Sequence, residues 1–171
     1  MNLKTILFLQ LLSILYACNP KADKVKEYPR WIGDIAYDKV KDKADFKIYN
    51  GEEKIKQYFN FNKGLLYKGE KTALIDSFKN LYQAPDNNTE SGMLRVRFIV
   101  NAKGKTDRFR TIGSDFNYQE QSFSAEITDQ ITDICKRLDQ WGAQPNIEKT
   151  QDYYQYLIFK IKNGQIIEIL P

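Results

Sequence analysis

The residues that could carry chemistry are few, and four of them cluster. Arg95, Arg97, Arg108 and Arg110 lie within LRVRFIVNAKGKTDRFR, residues 94–110. A guanidinium offers a rigid fork of donors, which suits phosphates and carboxylates. The chain has 171 residues and no histidine. That removes the commonest general base, the commonest zinc ligand and the usual switch near neutral pH. GLLYKGEKT, residues 64–72, approaches a phosphate-binding loop, but Glu70 separates Gly69 from Lys71 and no strand clearly precedes it. No serine sits in a nucleophile motif with a base at hand, and Glu52 and Glu53 read as solvated surface. The expectation is a binding protein and not an enzyme, with no catalytic residue, metal site or cofactor.

The arginines must be positioned by a hairpin. Apolar and charged residues alternate through 94–100, and a strand shows alternate side chains to opposite faces. A four-residue loop at 102–105 would set Asn101 opposite Thr106, Val100 opposite Asp107, Phe98 opposite Phe109, Arg97 opposite Arg110 and Val96 opposite Thr111. Leu94, Val96, Phe98, Val100 and Phe109 then share a core face. Arg95, Arg97, Ile99, Arg108, Arg110 and Ile112 share the other. Arginines facing each other are unfavourable, so this face calls for acidic or carbonyl partners. Asp34, Asp38, Asp42 and Asp45 are the candidates. The readings are a structural salt-bridge face beneath residues 31–66, plain solvated arginines, or a ligand site.

Two helices flank the hairpin. In 70–83, Leu74, Ile75, Phe78, Leu81 and Tyr82 form one apolar stripe, and Pro85 stops the helix. In 123–141, Ile127, Ile131, Ile134, Leu138 and Trp141 step by three and four, with Ser124 as N-cap and Glu126 in the first turn. Cys135 sits beside that face and reads as a small buried residue. DYYQYLIFKI, 152–161, is rich in strand formers, and Asn163-Gly164 signals a type I′ turn into a last strand, QIIEIL. The fold class is α+β: a small antiparallel sheet with two helices packed on one face, and an irregular extension at 31–66.

The N-terminus carries a different signal. Lys4 precedes an apolar run from Ile6 to Tyr16, too short for a comfortable permanent span and fitting the h-region of a secretory signal. Leu15-Tyr16-Ala17-Cys18 resembles a bacterial lipobox, and an ordinary signal cleaved near Ala17 is the alternative. The resemblance implies removal of 1–17, lipidation at Cys18, and a tether over 18–30 to a membrane, with acyl chains providing the anchor. Cys135 then has no disulfide partner. Export also separates the basic hairpin from nucleic acid. The formal net charge of +4 is too small to suggest that class.

From Tyr67 to Phe159 the chain resembles the TonB C-terminal domain in a Bacteroidota-type variant. YKGEKTALIDSFKNLY matches the first helix, GMLRVRFIVNAKGK and TDRFRTIGSD the hairpin, LDQW the end of the second helix and YYQYLIFKI the final strand. The resemblance implies a domain over 67–171 that binds a receptor peptide by strand addition at a sheet edge near Tyr154, Tyr156 and Ile158. It implies a TonB-dependent receptor or another envelope protein as partner, and an outer-membrane lipoprotein facing the periplasm. A tether of about a dozen residues reaches only roughly 3.3–3.6 Å per residue, so a role as energy transducer between two membranes is not expected. The alternative is a structural lipoprotein whose edge is closed by its own arm, 165–170.

Overall fold

The computed structural model describes residues 34–61, 64–142 and 151–171. The expected signal segment, Cys18 and the tether lie outside them. Five strands form one sheet: β1 (Lys56–Gln57), β2 (Gly92–Val100), β3 (Thr106–Ser114), β4 (Tyr153–Lys162) and β5 (Gln165–Leu170). Two helices, α1 (Glu70–Leu81) and α2 (Ala125–Arg137), complete the body. The α+β class and the two helices are as expected.

The sheet is mixed, which corrects the antiparallel expectation. β4 pairs antiparallel with β2 along its length, from Tyr153 opposite Val100 to Ile161 opposite Gly92. On its other flank β4 takes two partners. β1 runs parallel to it at Tyr153 and Tyr154, and β5 runs antiparallel at Ile158–Lys162. The parallel pair arises because the chain ahead of α1 passes alongside β4, where Lys56 N–H donates to the Asp152 carbonyl at 3.0 Å. The extension is therefore not purely irregular: it supplies a strand.

Alternation sorts β2 and β4 into two faces. Leu94, Val96, Phe98, Val100, Tyr153, Leu157, Phe159 and Ile161 are buried against the helices. Leu74 and Phe78 of α1 and Ile127, Ile131, Ile134 and Cys135 of α2 fill the facing layer. Rings interlock there: Phe78 with Phe159 at 4.7 Å between centroids, and Phe98 with Phe109 at 4.9 Å and Trp141 at 5.3 Å. Each fully buried large side chain contributes about 1.5–3 kcal/mol. Both helices are shorter than their apolar patterns. Leu81 closes α1 and is 45% exposed, whereas Tyr82, where the backbone turns extended, still packs against the core. Leu138 and Trp141 are buried but follow α2 as irregular chain. Ser124 occupies the N-cap position without capping: its hydroxyl donates to Glu90 Oε2 at 2.6 Å.

The hairpin register holds at its base and slips at its tip. Arg97 faces Arg110 and Val96 faces Thr111, as the alternation predicts. Nearer the tip, Val100 faces Thr106 and Ile99 faces Asp107, one residue off expectation. Asn101 N–H donates to the Lys105 carbonyl at 2.8 Å, so the loop is tighter than four free residues. An extra residue on β3 restores the register, a bulge with Arg108 at φ 58°. The slip moves Asp107 from the core face to the other. The bulge still points Phe109 inward, against Phe98. Gly104 is required at the turn: its φ is 74°, and a Cβ there would lie 2.3 Å from the Trp141 carbonyl oxygen. At the last turn, Asn163 and Gly164 both have positive φ, 49° and 74°, as a type I′ turn requires.

The second face of the sheet is covered as well. Ile35, Ile99, Tyr154 and Tyr156 form a separate buried cluster, joined by Phe46, Ile48, Ile55 and Tyr58. Helices, sheet and extension thus make three layers.

Candidate functional site

The four arginines stand where this second face meets the extension. Arg110 donates to both oxygens of Asp42 at 2.7 Å, and to the Ala36 carbonyl at 3.0 Å. Arg108 donates to Glu52 Oε2 at 2.7 Å and, through its other terminal nitrogen, to Glu52 Oε1. It also donates to the Ile35 carbonyl at 3.1 Å. Forked pairing of this kind fixes orientation as well as position. Of the four proposed acidic partners, Asp42 takes the role. Asp34 accepts from the Tyr154 hydroxyl at 3.4 Å, and Asp38 accepts from Val40 N–H at 2.9 Å. The residue that composition misread is Glu52: it is an ion-pair partner, although 60% of its side chain stays exposed.

Arg95 and Arg97 are managed differently. Their guanidinium carbons lie 5.7 and 5.6 Å from the centroid of the Tyr156 ring, within cation–π range. Burial lowers the pKa of both below the ordinary arginine value. The expected clash of Arg97 with Arg110 is relieved by divergence: Arg97 leans on Tyr156, and Arg110 turns to Asp42. Arg95, Arg97 and Tyr156 therefore converge on one point of the sheet, with the Tyr156 hydroxyl donating to Gln57 Oε1 of β1.

Asp152 was missed as a candidate and is the most heavily engaged carboxylate of this face. It is fully buried. Its Oδ2 accepts from Tyr49 N–H and Asn50 N–H at 2.8 Å each and from Asn50 Nδ2 at 3.2 Å. Its Oδ1 accepts from Ala102 N–H at 2.9 Å. One side chain thus ties the extension, the β2–β3 turn and the start of β4. Asp107, brought to this face by the slip, accepts from Lys43 N–H at 2.9 Å. Asn101 Nδ2 adds a bond to the Lys47 carbonyl at 3.0 Å.

The residues expected at an open sheet edge lie inside the sheet. Tyr154 and Tyr156 are buried, and Ile158 is half-buried with Arg95 on one side and Leu170 on the other. The edge expected near them is occupied: β1 sits beside Tyr153 and Tyr154, and β5 beside Ile158–Lys162. Only 155–157 lies between those partners. Cys135 is buried and free, and burial raises its thiol pKa far above the ordinary value, so it is not poised as a thiolate. Among the described residues, no group of three or more acidic or cysteine side chains could hold a metal ion. No helix among them is long and apolar enough to cross a membrane.

Comparison with protein-family models, with characterised proteins and with solved structures found no match.

The Asp42–Arg110 pair makes a pH prediction. The hydrogen bonds from Arg110 hold the Asp42 carboxyl below its ordinary value, outweighing burial, which acts the other way. A depressed folded-state pKa stabilises above the ordinary carboxylate value and loses that contribution as pH falls through the depressed one. Below about pH 4, stability should therefore decline, with the extension weakening against β3. Asp42→Asn should flatten this limb of the stability–pH curve. An unchanged acid limb in the variant would show that other carboxylates control it.

Proposed function

We propose that the chain is an envelope lipoprotein, lipidated at Cys18 and facing the periplasm from the outer membrane. Its TonB C-terminal-like body serves a structural, protein-binding role with the flank of β4 closed by its own strands. The observation that carries this reading is the pairing of β5 and β1 along β4. A receptor peptide adding along β4 would first have to displace one of them. An open stretch of three residues spans only about 10 Å of strand, too little for a ladder of several bonds. Arg108 and Arg110 serve this reading as the fastening of the extension, and Arg95 and Arg97 stack on Tyr156, rather than the four forming an anion site.

Two measurements test it. Cys18→Ser should move the protein from the membrane pellet to the soluble fraction; a variant that stays in the pellet removes the lipid anchor from the account. A TonB-box-like peptide titrated against the full chain should show no saturable binding along β4. Saturable binding that shifts the amides of Tyr154–Ile158 would restore strand addition there and displace the closed-flank reading.

A further inference from the structure

A groove of about 390 Å³ lies between α1 and β5. Ile75 and Phe78 form its helical wall, and Ile166 and Ile169 its strand wall. Phe78 and Ile169 are themselves buried, so the floor of the groove is the outer surface of the main core. None of these four side chains can donate or accept a hydrogen bond. The Tyr82 hydroxyl, at one end, already donates to the Gly164 carbonyl at 2.6 Å. A polar occupant such as a sugar would leave its own groups unpaired against this lining, at a cost; a hydrocarbon would not. Ile167, 57% exposed, continues the apolar surface past the rim.

The rim carries charge, with one sign in excess. Lys71 and Lys79 stand on its helical side, about 12 Å apart along the axis of α1. Glu168 is the acidic side chain of the lining, and Lys160 engages it at 2.7 Å. Asp76 of α1 does not line the groove. An occupant therefore meets hydrocarbon inside and net positive charge at the mouth. Lysine suits that boundary, because its stem can lie on apolar surface while the ammonium stays in water. The volume is near the lower end of the range for ligand clefts, about 300–1,000 Å³, which suits one acyl chain and not two.

We propose that this groove binds a fatty acid. The acyl chain lies along Ile75, Phe78, Ile166 and Ile169, and the carboxylate stays at the mouth with Lys71 or Lys79. Burial of the chain supplies affinity, and the charge of the head group supplies selectivity. The contacts are made by side chains alone, so the β4–β5 pairing is untouched. The site depends neither on the lipid anchor nor on the closed flank of β4.

The probe is dodecanoate with a diazirine at its terminal carbon, photolysed with the full chain in vesicles of zwitterionic phospholipid. Adducts should map to residues 75–82 and 165–170. Unlabelled dodecanoate should suppress them at a concentration at least about fivefold lower than dodecyltrimethylammonium, the ratio that one exposed ion pair supplies. The double variant Lys71→Glu, Lys79→Glu alters only the rim and should reverse that order. Ile75→Trp, which fills the groove, should abolish the adducts. The inference is overturned by adducts spread evenly over the surface, by suppression indifferent to head-group charge, by an order that the lysine variant leaves unchanged, or by adducts that survive Ile75→Trp. Labelling that appears only when Cys18→Ser removes the chain's own acyl groups would also overturn it, by making that anchor the occupant. None of these results bears on the closed flank of β4.

Discussion

Asp152→Ala is expected to cost about 3 kcal/mol of stability and to loosen the extension before the rest of the body. The magnitude follows from the kind of bond lost: hydrogen bonds to a charged acceptor contribute about 1.5–3 kcal/mol each, and stranded buried donors add their own penalty. Four donors converge on this carboxylate. Tyr49 and Asn50 can turn to water once released, which limits the loss, whereas Ala102 N–H is buried and cannot. Asp152→Asn keeps an oxygen acceptor without the charge and should cost less than half as much. Denaturant unfolding checks the magnitude. Amide exchange checks the location: Tyr49, Asn50 and Ala102 should lose protection together. Retained protection at Tyr49 and Asn50 in the alanine variant would mean that Asp107 and the arginines hold the extension without it.

Removal of β5, by ending the chain after Lys162, is expected to have the second large effect. Ile169 is 4% exposed and Ile166 packs on the same core. Burial of Ile169, with the partly buried Ile166 beside it, contributes about 2–5 kcal/mol. That is a large fraction of the stability of an ordinary domain, about 5–15 kcal/mol. The truncated chain would also bare the flank of β4 at Ile158–Lys162, an edge rich in apolar and aromatic neighbours. Concentration-dependent association should therefore appear in sedimentation, together with a lowered unfolding midpoint. The milder variant Ile169→Ser keeps the backbone pairing, so it should lose stability without associating. A truncated chain that is as stable as the full one and monomeric would show that β5 is not part of the sheet in solution.

What the sequence disclosed follows from the range of the forces involved. Periodicity is local, so both helices, the β2 face and the Asn163-Gly164 turn could be read directly. The pairing of Arg97 with Arg110 could be derived because a hairpin couples neighbours across one turn. The bulge at Arg108 could not, because a non-glycine residue with positive φ leaves no mark in composition. Its consequence was the misplaced Asp107. The need of the arginine face for acidic partners was legible from like charges alone, and Asp42 was among the candidates. Glu52 and Asp152 escaped because nothing local marks them. Glu52 stands in a charged run that resembles solvated surface. Asp152 binds residues 102 and 103 positions away, at Asn50 and Tyr49. The resemblance to the TonB C-terminal domain raised strand addition near Tyr154 and Tyr156, and the arm at 165–170 was the alternative occupant of that flank; nothing local marked the residues before α1 that join it there.

Amide hydrogen exchange along β4, residue by residue, tests the closed flank most directly. A strand at an edge protects only alternate amides, those that point to its single neighbour. A strand held on both sides protects consecutive ones. Consecutive protection is predicted through Ile158–Ile161, where β2 and β5 both pair, and at Tyr153 and Tyr154, where β2 and β1 do. Protection confined to every second amide across the whole of β4 would contradict it and return that flank to a partner.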